Sequence, residues 1–193
     1  MYSAVLLAAG ESKRMGEFKQ LLHFDGKTFV ECCVDNLLAS RASEVVVVTG
    51  HRSQDVRDAV GNRPVRFAHN EEYRSGMSSS IKRGVEAVSA GARAVIVALV
   101  DQPQIGPCVI DQVIEAYEKT RPLLVIPTYG GRNGHPIAID LSLKAQILAM
   151  DPNLGLRQVV HANAGSVIRV EVASEAILID CDFPEDYGRL LNN

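Results

Sequence analysis

An apolar run of strand length, Val5-Leu6-Leu7-Ala8-Ala9, ends in Gly10, and a polar, cationic loop, Glu11-Ser12-Lys13-Arg14-Met15-Gly16, begins where it stops. In an open α/β sheet, a loop at the carboxyl end of a strand lies in the crevice where ligands bind. Gly10 and Gly16 let the backbone approach a ligand closely, and main-chain N–H groups near Ser12 can surround phosphate oxygens. Arg14 adds a planar fork for phosphate, and Lys19 a mobile point charge. These residues suit a polyphosphate.

The rest of the chain alternates apolar runs with helical patterns. Strands are predicted at Ala4–Ala8, Glu44–Thr49, Val65–Ala68, Ala94–Leu99, Leu123–Pro127, His135–Ile139, Ser166–Val172 and Ile177–Ile179. Val45-Val46-Val47-Val48 and Val95-Ile96-Val97-Ala98-Leu99 are continuous rather than alternating, as parallel strands covered on both faces are. Helices are predicted at Thr28–Ala39, Ser53–Val60, Ser78–Ser89, Pro107–Lys119, Ser142–Met150, Leu156–Asn163 and Pro184–Leu191. In the first, Phe29, Cys32, Cys33, Leu37 and Leu38 approximate one helical stripe. The expectation is a three-layer α/β/α architecture on a mostly parallel, mixed sheet. Pro127–Pro136, rich in Gly and Pro, is the candidate for a mobile flap. No repeat or linker divides the sequence, so residues 1–193 are expected to form one domain.

A net charge of −3 argues against broad nucleic-acid binding, which uses a clustered basic surface. No apolar stretch reaches the ~20 residues that span a bilayer. Met1-Tyr2-Ser3 enters the first strand without a charged leader, so no signal peptide and no membrane partner are expected. Cys32, Cys33, Cys108 and Cys181 form no C-x-x-C pair and no zinc-like spacing, and are read as reduced and mostly buried, in keeping with cytoplasm. The scattered His23, His51, His69 and His161 lack metal-ligand spacing. There is no G-x-x-x-x-G-K-[ST], no G-x-G-x-x-G after a strand and no G-x-S-x-G, which removes support for P-loop, standard dinucleotide and nucleophile-elbow readings.

Four further segments carry candidate chemistry. Asp101-Gln102-Pro103 ends a buried strand, where an acid can coordinate Mg²⁺, though Asp and Pro so spaced also make an ordinary turn. Asp180-Cys181-Asp182 precedes Pro184 and the last helix, and helix-initiation chemistry accounts for Glu185 and Asp186 without needing both earlier acids. Gly76-Met77-Ser78-Ser79-Ser80 offers more hydroxyls than a helix cap requires. Gly130-Gly131-Arg132-Asn133-Gly134-His135-Pro136 permits unusual backbone angles and presents His135, yet a simple hairpin loop reads the same way.

The loop pattern L-A-A-G-x-S-x-R-M-G-x-x-K resembles the signature of nucleotidyltransferases with the nucleotide-diphospho-sugar transferase (Rossmann-like) fold, above all the molybdenum-cofactor cytidylyltransferases and their guanylyl relatives. The resemblance runs from Leu7 through Asp186. It implies an Mg²⁺- or Mn²⁺-dependent transfer of CMP from CTP to the terminal phosphate of the molybdenum cofactor, with loss of pyrophosphate. It implies a nucleotide site of Leu7, Ala8, Ala9, Gly10, Ser12, Arg14, Lys19, Gly76, Ser78, Ser79, Ser80 and Asp101. The resemblance gives catalytic roles to Arg14, Lys19 and Asp101, and a metal held by Asp101 and Asp182. Phe183 stands where a small hydroxyl residue is usual in the matching D-x-D-x-P-x-D element. Acceptor contacts are implied for Gly134, His135 and Arg157; before Arg157, Asn153 replaces an acid and Pro152 a glycine. Ala-Ala-Gly, rather than Ala-Gly-Gly, points to CTP over GTP, since Ala9 narrows the room for a purine. A sugar- or polyol-phosphate acceptor is an alternative, as is a non-catalytic carrier delivering cofactor to a xanthine dehydrogenase-type molybdenum hydroxylase.

Overall fold

The computed structural model describes residues 1–192. Its strands are β1 (Tyr2–Ala8), β2 (His23–Phe24), β3 (Lys27–Thr28), β4 (Glu44–Thr49), β5 (Arg66–His69), β6 (Ala94–Leu99), β7 (Leu124–Tyr129), β8 (Arg132–Asn133), β9 (Ile137–Asp140) and β10 (Val167–Glu171). Its helices are α1 (Phe29–Leu38), α2 (Ser53–Val60), α3 (Met77–Ala87), α4 (Pro107–Thr120), α5 (Lys144–Ala149), α6 (Leu156–Ala162) and α7 (Pro184–Leu191). The main sheet has the order β10-β7-β9-β6-β1-β4-β5, with β8 paired to β7. All pairings are parallel except those of β9 with β6 and β7 and of β8 with β7, so the sheet is mixed as expected.

Period-two alternation in β1 builds both cores. Ala4, Leu6 and Ala8 pack with Val30, Val34 and Leu37 of α1, Val56 of α2 and Val113 of α4. Val5, Leu7 and Ala9 face the other way, onto Ile81 and Val85 of α3, Ile147 of α5 and Val159 of α6. The continuous apolar runs exist because both faces of these strands are covered. Gly84 of α3 sits against β1: a Cβ there would lie 2.3 Å from Val5 Cγ1.

The elements differ from the expected ones at three points. Ile177–Ile179 is no strand: Glu175–Leu178 forms a 3₁₀ turn, because its main-chain groups are held by side chains of the 101–104 turn rather than by a neighbouring strand. The presumed flap is largely a hairpin, with Thr128 opposite Asn133 and Tyr129 opposite Arg132. The short β2–β3 hairpin escapes a pattern search because each arm has only two residues. The cysteines are all free thiols, buried except for Cys108.

At the amino end of the sheet, Glu44 accepts from the hydroxyls of Ser3 and Ser89 and from Arg66. Burial opposes its ionisation, but these bonds and the Ser89 N–H outweigh it and hold the carboxyl down at about 2. A carboxyl held below its unfolded value stabilises the fold above that value and loses the contribution as pH falls toward 2. Glu44→Gln is therefore expected to cost ~1–2 kcal/mol at neutral pH, with the gap to wild type shrinking as denaturant midpoints are measured from about pH 5 down to about pH 3.

Candidate active site

The chain runs from β1 outward to β4 and β5, then returns to β6 on the other side of β1. Such a reversal opens a crevice at the carboxyl ends of the strands. Leu7 pairs with Leu99 there, and Val100 N–H donates to Leu7 O at 3.3 Å, setting Gly10 beside Asp101.

The loop after β1 is held from inside by Gln20, whose side chain is fully buried. Its Nε2 donates to Gly10 O at 2.8 Å and Ala8 O at 3.2 Å, while its Oε1 accepts from Ser12 Oγ at 3.0 Å. Ser12 Oγ in turn accepts from Lys19 N–H. Ser12 itself takes a left-handed φ of 56°, and Met15 N–H closes the turn onto Ser12 O. The Ser12 hydroxyl is thus engaged in shaping the loop. A Cβ at Gly10 would meet no atom within 4 Å, so this glycine borders open space rather than a packed neighbour.

The turn after β6 assembles the opposite wall. Gln102 Nε2 donates to Ile177 O and to Asp180 Oδ1, and Gln104 Nε2 to Ala176 O and Ile179 O. Cys181 N–H donates to Asp101 O at 3.1 Å. This lacing delivers Asp182 to the crevice, and the Asp186 carboxylate fixes it by accepting from the N–H groups of Asp182 and Phe183. Lys19 Nζ then lies 2.8 Å from Asp101 Oδ2 and 3.0 Å from Asp182 Oδ1. Arg14 reaches Asp182 Oδ2 at 2.8 Å and lies over the Phe183 ring at 5.4 Å. Burial disfavours the Lys19 ammonium, but the charge of Asp101 and hydrogen bonds to both carboxylates outweigh it and raise the pKa. Burial, joined by the charge of Asp101, pushes Asp180 up.

Two cavities flank this cluster. The first, about 300 Å³, is lined by Leu7, Ala9, Gly10, Arg14, Lys19, Gly76, Ser80, Asp101 and Asp182 among the residues anticipated from sequence. Ala8 is fully buried on the far face of β1 and contributes only its carbonyl, to Gln20. Ser79 turns back to Glu72 O and Gly76 O, and Ser80 accepts from the buried Asn70. The second cavity, about 810 Å³, takes in Ser78, Gly134, His135 and Arg157, with Arg169 and His161 also lining it. Met77 lines both cavities. Gly134 is a glycine for packing reasons, since a Cβ there would lie 2.3 Å from Ile177 O. Burial lowers the His135 pKa, so its imidazole favours the neutral form more than a free histidine does.

Gln20, Tyr73, Met77 and Asp180 of the smaller cavity, and His161 and Arg169 of the larger, were not anticipated. Gln20 lies between Lys19 and Leu21-Leu22, where no periodicity marks a buried amide. Asp180 could have been found by taking the acidic pair around Cys181 as a unit.

Nicotine blue oxidoreductase of Paenarthrobacter nicotinovorans is 30% identical, covering 98% of this chain and 96% of its own length. Molybdenum cofactor cytidylyltransferase of Escherichia coli is 26% identical over 95% of this chain and 92% of its own. A solved nucleotidyl transferase from Methanothermobacter thermautotroptrophicus is 28% identical and superposes with a TM-score of 0.86, covering 100% of this chain and 96% of that one. The family described as the MobA-like NTP transferase domain matches residues 4–167, and with the match spanning most of the sequence, the chain belongs to that family of nucleotide-transferring enzymes.

Proposed function

We propose that this enzyme transfers CMP from CTP to the terminal phosphate of the molybdenum cofactor, releasing pyrophosphate, in the cytoplasm. The observation that carries the reading is the convergence of Asp101 and Asp182 on one cation beside the Gly10–Arg14 loop. The site fits a divalent ion: Asp101 Oδ1 is buried and has no hydrogen-bond partner among the described residues, and two carboxylates plus phosphate oxygens are an ordinary hard-cation donor set. Asp101 and Asp182 would hold Mg²⁺ or Mn²⁺. Such an ion neutralises charge on the phosphates and on the leaving pyrophosphate.

The remaining work falls to the chain. CTP fits the smaller cavity, with its phosphates at the Gly10–Arg14 main chain and its base beside Ala9 and Ser80. Arg14 and Lys19 turn from carboxylate to phosphate oxygens and balance the charge that develops as pyrophosphate leaves. The larger cavity receives the acceptor, whose phosphate meets Arg157 and Arg169 while its ring system rests on apolar residues such as Ile81, Ile126 and Leu156. Met77, at the boundary, marks where acceptor oxygen and α-phosphorus meet. Attack is in line, and positioning supplies most of the rate. The cytidylyltransferase relative supports this acceptor, and Ala9 supports cytosine over guanine. The product is then expected to pass to a molybdenum hydroxylase.

The 30% identity to nicotine blue oxidoreductase favours a second reading, hydride transfer, although no dinucleotide fingerprint follows a strand. Incubation with molybdenum cofactor, Mg²⁺ and either CTP or GTP decides. Pyrophosphate and a cytosine dinucleotide are expected with CTP, at a rate at least ~10-fold above GTP, equal to about 1.4 kcal/mol of discrimination. Absence of pyrophosphate with either nucleotide sinks the transfer reading. Oxidation of a reduced nicotinamide that depends on both the protein and an added quinonoid dye as hydride acceptor would install the second.

A further inference from the structure

Two side-chain cations engage the Asp101 and Asp182 carboxylates at the centre of the site. The Lys19 ammonium bonds both Asp101 and Asp182, and the second oxygen of Asp182 is taken by Arg14. Lys19 is well placed to stay there. Its side chain is only 13% exposed, its Nζ also lies 3.4 Å from Cys181 O, and its backbone is tied to Ser12 Oγ in the turn that Gln20 pins. A divalent cation bridging the two carboxylates would have to compete with this ammonium, which already bonds Asp101 Oδ2 and Asp182 Oδ1, while the one oxygen left without a partner among the described residues, Asp101 Oδ1, is buried.

Resting on the transfer reading above, we infer that Lys19 is the resident counter-ion of the Asp101–Asp182 pair and that a metal enters only by displacing it. Metal alone gains two carboxylates but must break two charge-assisted hydrogen bonds and strand a buried ammonium, so it binds weakly. A nucleotide without metal meets a cation already spent on carboxylates, and Asp180 nearby repels its phosphates. Metal and nucleotide together exchange all partners at once: phosphate oxygens take Lys19 and Arg14, while the metal takes the carboxylates. The two ligands are thereby coupled through one side chain, and the coupling is reciprocal. It follows that the site stays closed to free metal ions until a triphosphate arrives. Lys19 thus acts as a gate on metal as well as a phosphate ligand.

The test uses the full chain and Mn²⁺ alone, with free ion followed by electron paramagnetic resonance. Lys19→Met leaves Asp101 without a counter-ion and Asp182 with Arg14 alone, and is expected to bind Mn²⁺ at least ~10-fold more tightly than wild type. Lys19→Arg, which keeps the charge, is expected to remain as weak as wild type. Mn²⁺ should raise the Tm of Lys19→Met more than that of wild type, since the ion relieves carboxylate repulsion in the variant only. Adding Asp101→Asn to Lys19→Met should abolish the gain. Should Lys19→Met fail to fold, Lys19→Gln, neutral and polar, carries the same expectation. Equal or weaker Mn²⁺ binding by a folded neutral variant overturns the inference. The readout is independent of the acceptor and the base, so an absence of pyrophosphate would count against the transfer reading, while an unchanged Mn²⁺ affinity would count against the gate.

Discussion

Asp101→Asn is expected to lower kcat/KM for pyrophosphate release roughly a thousandfold, about 4 kcal/mol of transition-state stabilisation. The change is nearly isosteric and spares the Asp101 carbonyl that accepts from Cys181 N–H, so the 101–104 turn and its lacing to residues 176–181 persist. What disappears is the charge. Oδ2 is the atom bonded to Lys19, and Oδ1 is the buried oxygen with no partner among the described residues. An amide presents one oxygen and one NH₂, and the NH₂ would point a donor at either the ammonium or the metal. Steady-state kinetics against Mg²⁺ concentration measure the effect. A drop of less than about tenfold at saturating Mg²⁺ would remove Asp101 from the metal site.

The second large effect is expected at a residue touching no reacting atom. Gln20→Ala removes two donations, to Gly10 O and Ala8 O, and the acceptor of the Ser12 hydroxyl, and opens a cavity in a fully buried position. The buried Ala8 carbonyl left unsatisfied costs ~1–3 kcal/mol and the cavity adds to it, so an overall loss of about 3 kcal/mol and a Tm drop of roughly 6–12 °C are expected. Gln20 is a positioning residue, and a purely structural part would show only in stability. Because the loop it holds is where the phosphates of CTP are placed, KM for CTP is expected to rise at least ~10-fold while kcat falls less. Calorimetry together with initial rates separates the two. An unchanged KM in a destabilised variant would show that the loop finds its phosphate-binding shape without this amide.

Much of the fold was legible because it rests on local physics. Val45–Val48 and Val95–Leu99 are unbroken apolar runs, and the strands they predict are parallel and covered on both faces, as such runs require. The apolar stripe of α1 likewise agrees, and the helix expected from Thr28 begins one residue later with Thr28 as its cap, Thr28 Oγ1 accepting from Glu31 N–H and the Glu31 carboxylate from Thr28 N–H. The strand expected at Ile177–Ile179 fails for a non-local reason. Ile177-Leu178-Ile179 has strand composition, but its carbonyls are engaged by Gln102 and Gln104, a long-range satisfaction that no periodicity reports. The 127–136 segment is irregular by composition, and within it Thr128 pairs with Asn133 in a short hairpin.

The site divides in the same way. The loop after β1 announces phosphate chemistry by itself, since Gly10, Arg14 and Lys19 lie within ten residues and their roles follow from backbone freedom and charge. Asp101 was readable as an acid at a strand end, though a turn explained it as well. That Asp182, 81 residues downstream, shares one ammonium with Asp101 was decided only by the tertiary structure. So was the second function of Ser12 and the existence of Gln20 as the loop's internal anchor. The physical reason is one of range. Strand and loop character arise from neighbouring residues, whose burial pattern and φ preferences are written in order along the chain. The meeting of Lys19, Asp101 and Asp182 depends on side-chain amides of Gln102 and Gln104 closing onto backbone carbonyls some 75 residues away. That closure exists only once the sheet has set those segments side by side.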